Sequence, residues 1–175
     1  MHLEHNDLFY VLDGEFTVLV GREEHAIGPG TLVLAPPLVV HGFRNAGDAE
    51  MRYLNFHAPG GGFAPYIRGE QPGFDSYDPP EDGGRDPADA VLGTGEVLAD
   101  RDGLRIALLC DVDEIAVVEV ASTPGGPAPT PPLHVHERHV HTPSRGFGDF
   151  TRAIVAARDE DELAAARAAF DQRPA

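Results

Sequence analysis

The 175-residue sequence contains no lysine, no tryptophan, a single cysteine and no long apolar run. Each shortage excludes something. One thiol, Cys110, cannot form an internal disulfide, and its place in the apolar run from Leu104 reads as a small buried hydrophobe. No segment approaches the roughly 18 consecutive apolar residues of a membrane helix. Met1 is followed at once by His, Glu and Asp rather than by a secretory leader. The expectation is a cytoplasmic protein with no membrane partner. Cations are scarce as well: 13 basic residues, all Arg, stand against 29 acidic ones, for a formal net charge of -16. Such a surface repels phosphate backbones, so no nucleic acid partner is expected. Without lysine there is no phosphate-binding P-loop, and no Gly-x-Ser-x-Gly elbow occurs.

What is present favours short strands. Hydrophobic residues make up 42%, enough for a core, while 20 Gly and 16 Pro imply many turns. Leu8–Leu12 and Phe16–Val20 flank Asp13-Gly14, a dipeptide suited to a tight hairpin, and further apolar runs follow at 31–35 and 51–56. Phe9, Tyr10, Phe16, Phe43, Tyr53 and Phe56 are expected to fill the interior. Residues 70–96 are rich in Pro, Gly and Asp and read as a linker or extended surface arm. Strands resume at 104–110 and 115–121, and a Pro/Gly loop leads to the tract His134, His136, His139, His141. Phe147, Phe150 and Ile154, then Leu163, Ala166 and Phe170, fall at helical spacing, which predicts a C-terminal helical hairpin. The expected organisation is a main strand-rich part over 1–69, a linker over 70–96, further strands over 97–141, and helices over 142–175.

An internal repeat is present. His57, Pro59, Gly62, Phe63, Tyr66 and Arg68 recur in register as His141, Pro143, Gly146, Phe147, Phe150 and Arg152. A weaker match sets His2 and His5 against His136 and His139. The second copy lacks the strand-rich middle, and the first lacks the residues corresponding to 97–135. The expectation is that residues 97–136 complete a barrel begun by residues 1–57, as in a circular permutation. A remnant of a two-barrel parent, or domain swapping between two chains, is the rival.

Two spaced motifs carry a family resemblance. Asp7 is followed by six residues and Gly14. Gly30, five residues, Pro36, then Leu38, His41 and Asn45 form the second. These resemble the two cupin motifs, with Asp7 in the place of Glu, His2 in the place of the second His of a His-x-His pair, and Leu38 in the place of a turn Gly. The first His of that pair would precede Met1. His134-Val-His136 is itself a complete His-x-His. The chain is thus similar to type-2, quercetin-dioxygenase-like cupins, in the form of a rearranged or truncated two-barrel protein. The resemblance implies an all-β fold, a cupin-like double-stranded β-helix (jelly-roll barrel), with the short helical hairpin appended.

Alternate residues of a strand share a face, so two His at i and i+2 project together, and a carboxylate and a further His can converge on them. The expected metal ligands are His2, Asp7, His41, His134 and His136, with Asp7 also the candidate catalytic group. Imidazoles plus one carboxylate suit a divalent transition metal: Fe, Mn, Ni, Cu or Zn. His5 and His139 are expected at the surface or beside the ligands, and His25 and His57 as packing residues. The resemblance implies a dioxygenase-like oxidoreductase acting on a small organic molecule. A non-catalytic ligand- or metal-binding cupin and an inactive relic are the alternatives. A homodimer is the expected assembly.

Overall fold

The computed structural model describes residues 1–112, 115–126 and 146–171. It is built mostly of strands, with few helices, and divides into two units, Met1–Thr94 and Gly95–Ala175. Among the described residues no helix is long and apolar enough to cross a membrane.

The first unit contains β1 (Asn6–Asp13), β2 (Phe16–Val20), β3 (Glu23–Ile27), β4 (Leu32–Ala35), β5 (His41–Arg44), β6 (Arg52–Ala58), the short helix α1 (Phe63–Ile67) and β7 (Val91–Gly93). They form two antiparallel sheets, one ordered β6-β1-β4-β7 and the other β3-β2-β5. Phe9, Val11, Val33 and Ala35 of the first sheet pack with Phe16, Val18, Val20 and Ile27 of the second, and Val39 closes the same cluster. This is the period-two pattern of strands with one face on a shared core.

The hairpin expected at Asp13-Gly14 is not there. β1 pairs with β4 and β6, whereas β2 pairs with β3 and β5, so Asp13-Gly14 carries the chain from one sheet to the other. The reason is packing. Phe9 and Phe16 must both face the core between the sheets, where their rings meet at 5.5 Å, and a hairpin would lay the two strands side by side in one sheet. Gly14 adopts φ +77, and a Cβ there would lie 2.5 Å from the Glu50 carbonyl oxygen. The tight two-residue turn falls instead at Gly21-Arg22, between Val20 and its partner Glu23. The strands β3 and β5 lack an apolar run, so hydrophobic patterning did not reveal them.

The aromatic set divides. Phe9 and Phe16 are fully buried, but Phe43 is 49% exposed and Phe56 45% exposed. On β6 the inward residues are Tyr53, Asn55 and His57, and the alternation turns Phe56 outward. Residues 70–94 run back across the unit. The Tyr77 N–H donates to the Met1 carbonyl at 2.9 Å, the Arg85 N–H donates to the Leu38 carbonyl at 2.9 Å, and β7 pairs with β4.

The second unit holds β8 (Glu96–Arg101), β9 (Leu104–Asp111) and β10 (Ala116–Ser122), an antiparallel sheet ordered β10-β9-β8. The helices α2 (Phe147–Ala156) and α3 (Glu160–Asp171) form the expected hairpin, with Phe150 stacked on Phe170 at 4.5 Å. Cys110 is buried on β9, and burial pushes its thiol up to about 11. The internal repeat has a local structural counterpart. Gly62 and Gly146 take the same left-handed conformation, φ 81 and φ 83, at the N-termini of α1 and α2.

Candidate metal centre

Register explains how the site assembles. Asp7 on β1 lies directly opposite His57 on β6, and Phe9 opposite Asn55, so these side chains share the inner face of the first sheet. His41 lies opposite Val20, and Phe43 opposite Val18, which puts them on the inner face of the second sheet. His2 and His5 enter from the segment preceding β1. That segment is tied down by Asp75, whose carboxylate accepts the backbone N–H groups of Leu3 at 3.0 Å and Glu4 at 2.9 Å.

Three of the expected ligands meet. His2 Nε2 lies 3.3 Å and His41 Nε2 3.2 Å from the same oxygen, Asp7 Oδ2. Asp7, though shorter than the glutamate of the resembled motif, reaches both rings with one oxygen. The outer nitrogen of each ring is already committed. His41 Nδ1 donates to the Val39 carbonyl at 2.9 Å, and His2 Nδ1 donates to the Asp75 carbonyl. With both rings neutral, each Nε2 presents a lone pair toward the carboxylate oxygen; with a ring protonated, its Nε2 donates to that oxygen instead. Ring anchoring of this kind, with one nitrogen on a carbonyl, is also how metal-ligating histidines are oriented. Burial pushes the Asp7 carboxyl up, but the hydrogen bonds that His2 and His41 donate when protonated, and the charge of the neighbouring His57 and His41, more than offset it and hold it well below the usual carboxylate range. The other oxygen, Oδ1, accepts from Asn55 Nδ2 at 2.5 Å.

His134 and His136, the other two expected ligands, lie outside the described residues, as does His139. His5 is not a surface residue: its side chain is fully buried. Its Nδ1 lies 2.8 Å from Asp75 Oδ2 and its Nε2 lies 2.8 Å from His57 Nδ1. Nor is His57 simple packing. Its Nε2 meets Asn55 Oδ1 at 3.0 Å and stands 3.8 Å from Asp7 Oδ1. Burial lowers the proton affinity of both rings, and the Asp75 hydrogen bond to His5 and the Asp7 charge near His57 oppose it. Asp75 was hidden in a stretch of low apolar content. The signal for His5 and His57 was available, because both recur in the internal repeat. His25 is on β3 and belongs to neither cluster of metal-competent groups.

Aromatic rings wall the site on two sides. Phe63 stacks on His57 at 3.9 Å, and Phe74 packs near His2 at 5.7 Å. Phe9 lies 6.4 Å from His41 and 6.0 Å from Tyr53. Gly61 sits against the His5 ring so closely that a Cβ would overlap it, which gives the Gly60-Gly61-Gly62 turn a packing role. A separate cleft of about 1000 Å3, lined by Leu19, Arg22, His25, Pro80, Arg85 and Pro87 among others, includes none of the clustered His or Asp side chains.

Comparison with protein families matches the model described as "Cupin domain" to residues 1–57, the stretch holding His2, Asp7, His41 and His57. No curated protein and no solved structure matches the chain.

Proposed function

From the premise that residues 1–57 belong to the cupin superfamily, we propose that this pocket is a mononuclear metal site with His2, Asp7 and His41 as ligands, serving dioxygenase-like chemistry on a small organic molecule. The observation that supports it is the convergence of His41 Nε2 and His2 Nε2 on one buried carboxylate oxygen, Asp7 Oδ2, at 3.2 and 3.3 Å. The donor set suits a divalent transition metal of the Fe, Mn, Ni, Cu or Zn group. Such an ion, when bound, supplies a Lewis acid with open coordination positions. The rest is done by this chain's own residues. The Val39 and Asp75 carbonyls hold the two rings in the ligating tautomer. Asp7 contributes negative charge, its carboxylate held ionised by its histidine neighbours. Asn55 fixes the carboxylate by donating to Oδ1. Phe9, Phe63 and Phe74 keep the surroundings apolar. In this reading the two facing sheets are the walls of a jelly-roll barrel.

Metal titration of the full chain purified without a tag tests the reading. One tight equivalent is expected, weakened about 100-fold or more in His41→Ala. A tight equivalent unchanged by His41→Ala would remove the Asp7-centred site. Oxygen uptake with flavonoid and other enolic compounds then separates an enzyme from a metal-binding protein without catalysis.

A further inference from the structure

The pocket contains more metal-competent side chains than one such site needs. His2, His5 and His57 form a second group whose ligand atoms lie within 4.8 Å of one another, as those of His2, Asp7 and His41 do. The hydrogen-bond partners decide what the second group offers. His5 Nδ1 faces a carboxylate, Asp75 Oδ2, at 2.8 Å, so it donates, and its Nε2 carries the lone pair. Asn55 Nδ2 donates to Asp7 Oδ1 and to the Leu8 carbonyl, which leaves Asn55 Oδ1 as an acceptor. His57 Nε2, at 3.0 Å from that oxygen, is therefore the donor, and its Nδ1 carries the lone pair. With both rings neutral, the two lone pairs meet across 2.8 Å with both far nitrogens committed, a gap that a cation fills. The His2 ring stands beside them, stacked on His5 at 4.1 Å.

From this arrangement we propose that His5 and His57, with His2, form a second metal position overlapping the first. The inference rests on the pocket being a metal site. His2 is common to both sets, so one ion occupies one position or the other. The ligands differ in kind. Three imidazoles favour Zn(II), Cu(II) or Ni(II), whereas the set with Asp7 accommodates Fe(II) or Mn(II) as well. Nitrogens bound to one tetrahedral zinc at about 2.0–2.1 Å stand about 3.3 Å apart, so the His5–His57 pair must open by roughly half an ångström. Asp75 then acts on the second position as the Val39 carbonyl acts on the first, holding a ligand ring by its outer nitrogen.

The test is Zn(II) titration of the full chain by calorimetry, with circular dichroism confirming folding of each variant. His41→Ala should retain one equivalent of Zn(II), bound more weakly than in the unaltered protein. Adding His57→Ala or His5→Ala to His41→Ala should remove that equivalent. Ions held by the tract 134–141 appear in both measurements and cancel in the difference. Loss of all Zn(II) in folded His41→Ala would overturn the second position while leaving the Asp7-centred site standing. So would a residual equivalent indifferent to His57→Ala. A chain that binds no metal at all would overturn both.

Discussion

Replacing Leu38 by alanine and, separately, by glycine probes the turn that leads into His41. Leu38 has φ +70, in the left-handed region that glycine tolerates, and glycine is the residue usual at this position of the cupin motif. Its backbone is held from both sides. The Leu38 N–H donates to the His2 carbonyl at 2.7 Å, and its carbonyl accepts the Arg85 N–H at 2.9 Å, so the conformation has no room to relax. A Cβ in that conformation costs about 1–2 kcal/mol. Glycine removes the cost but gives back roughly 0.4–1 kcal/mol through the greater freedom of the unfolded chain. Both variants lose the same leucyl side chain, 43% exposed, so that loss cancels between them. Leu38→Gly should therefore be more stable than Leu38→Ala by about 0.8 kcal/mol, a shift of a few degrees in Tm. At a position with ordinary backbone angles the order is the reverse, with alanine ahead by about 0.5–1 kcal/mol. Denaturant unfolding of the two variants at equal slope gives the difference directly. Alanine equal to or above glycine would refute the strain at this turn, and with it the idea that the His2 carbonyl is clamped at a cost.

Other expectations follow from the same geometry. Asp75→Asn, which weakens the hold on His5 and on the Leu3 and Glu4 amides, should lower metal affinity about 10- to 100-fold while the chain stays folded by circular dichroism; unchanged affinity would deny Asp75 an orienting role. Metal affinity should weaken as pH is lowered, because protons compete for the imidazole nitrogens and only the neutral ring ligates; affinity independent of pH would exclude a histidine-rich site. Gly14→Ala should destabilise by roughly 2–4 kcal/mol, since it combines a left-handed conformation with a contact on the Glu50 carbonyl; a cost under about 1 kcal/mol would mean the crossover can shift. Cys110 should react with thiol reagents at pH 8 only after unfolding, because burial holds its thiol up at about 11.

Short strands, the turn-rich middle and the C-terminal helical hairpin were all visible in one-dimensional patterns, because apolar residues at period two or 3.6 must face something. The resemblance of the Asp7–Gly14 and Gly30–Asn45 spacings to the two cupin motifs likewise implied that Asp7 and His41 are partners. Only the tertiary structure decided the rest. Which strand pairs with which depends on the core between the sheets, so Asp13-Gly14 became a crossover and not a hairpin. Asp75 reaches His5 across 70 positions because residues 70–94 fold back over the N-terminal segment, and no local pattern encodes such a contact. His57 faces Asp7 through strand register, a relation fixed by hydrogen bonding between β1 and β6 and invisible to spacing along the chain. Ligand types are thus a local property of a sequence, whereas the point on which their lone pairs converge is set by how distant strands pack.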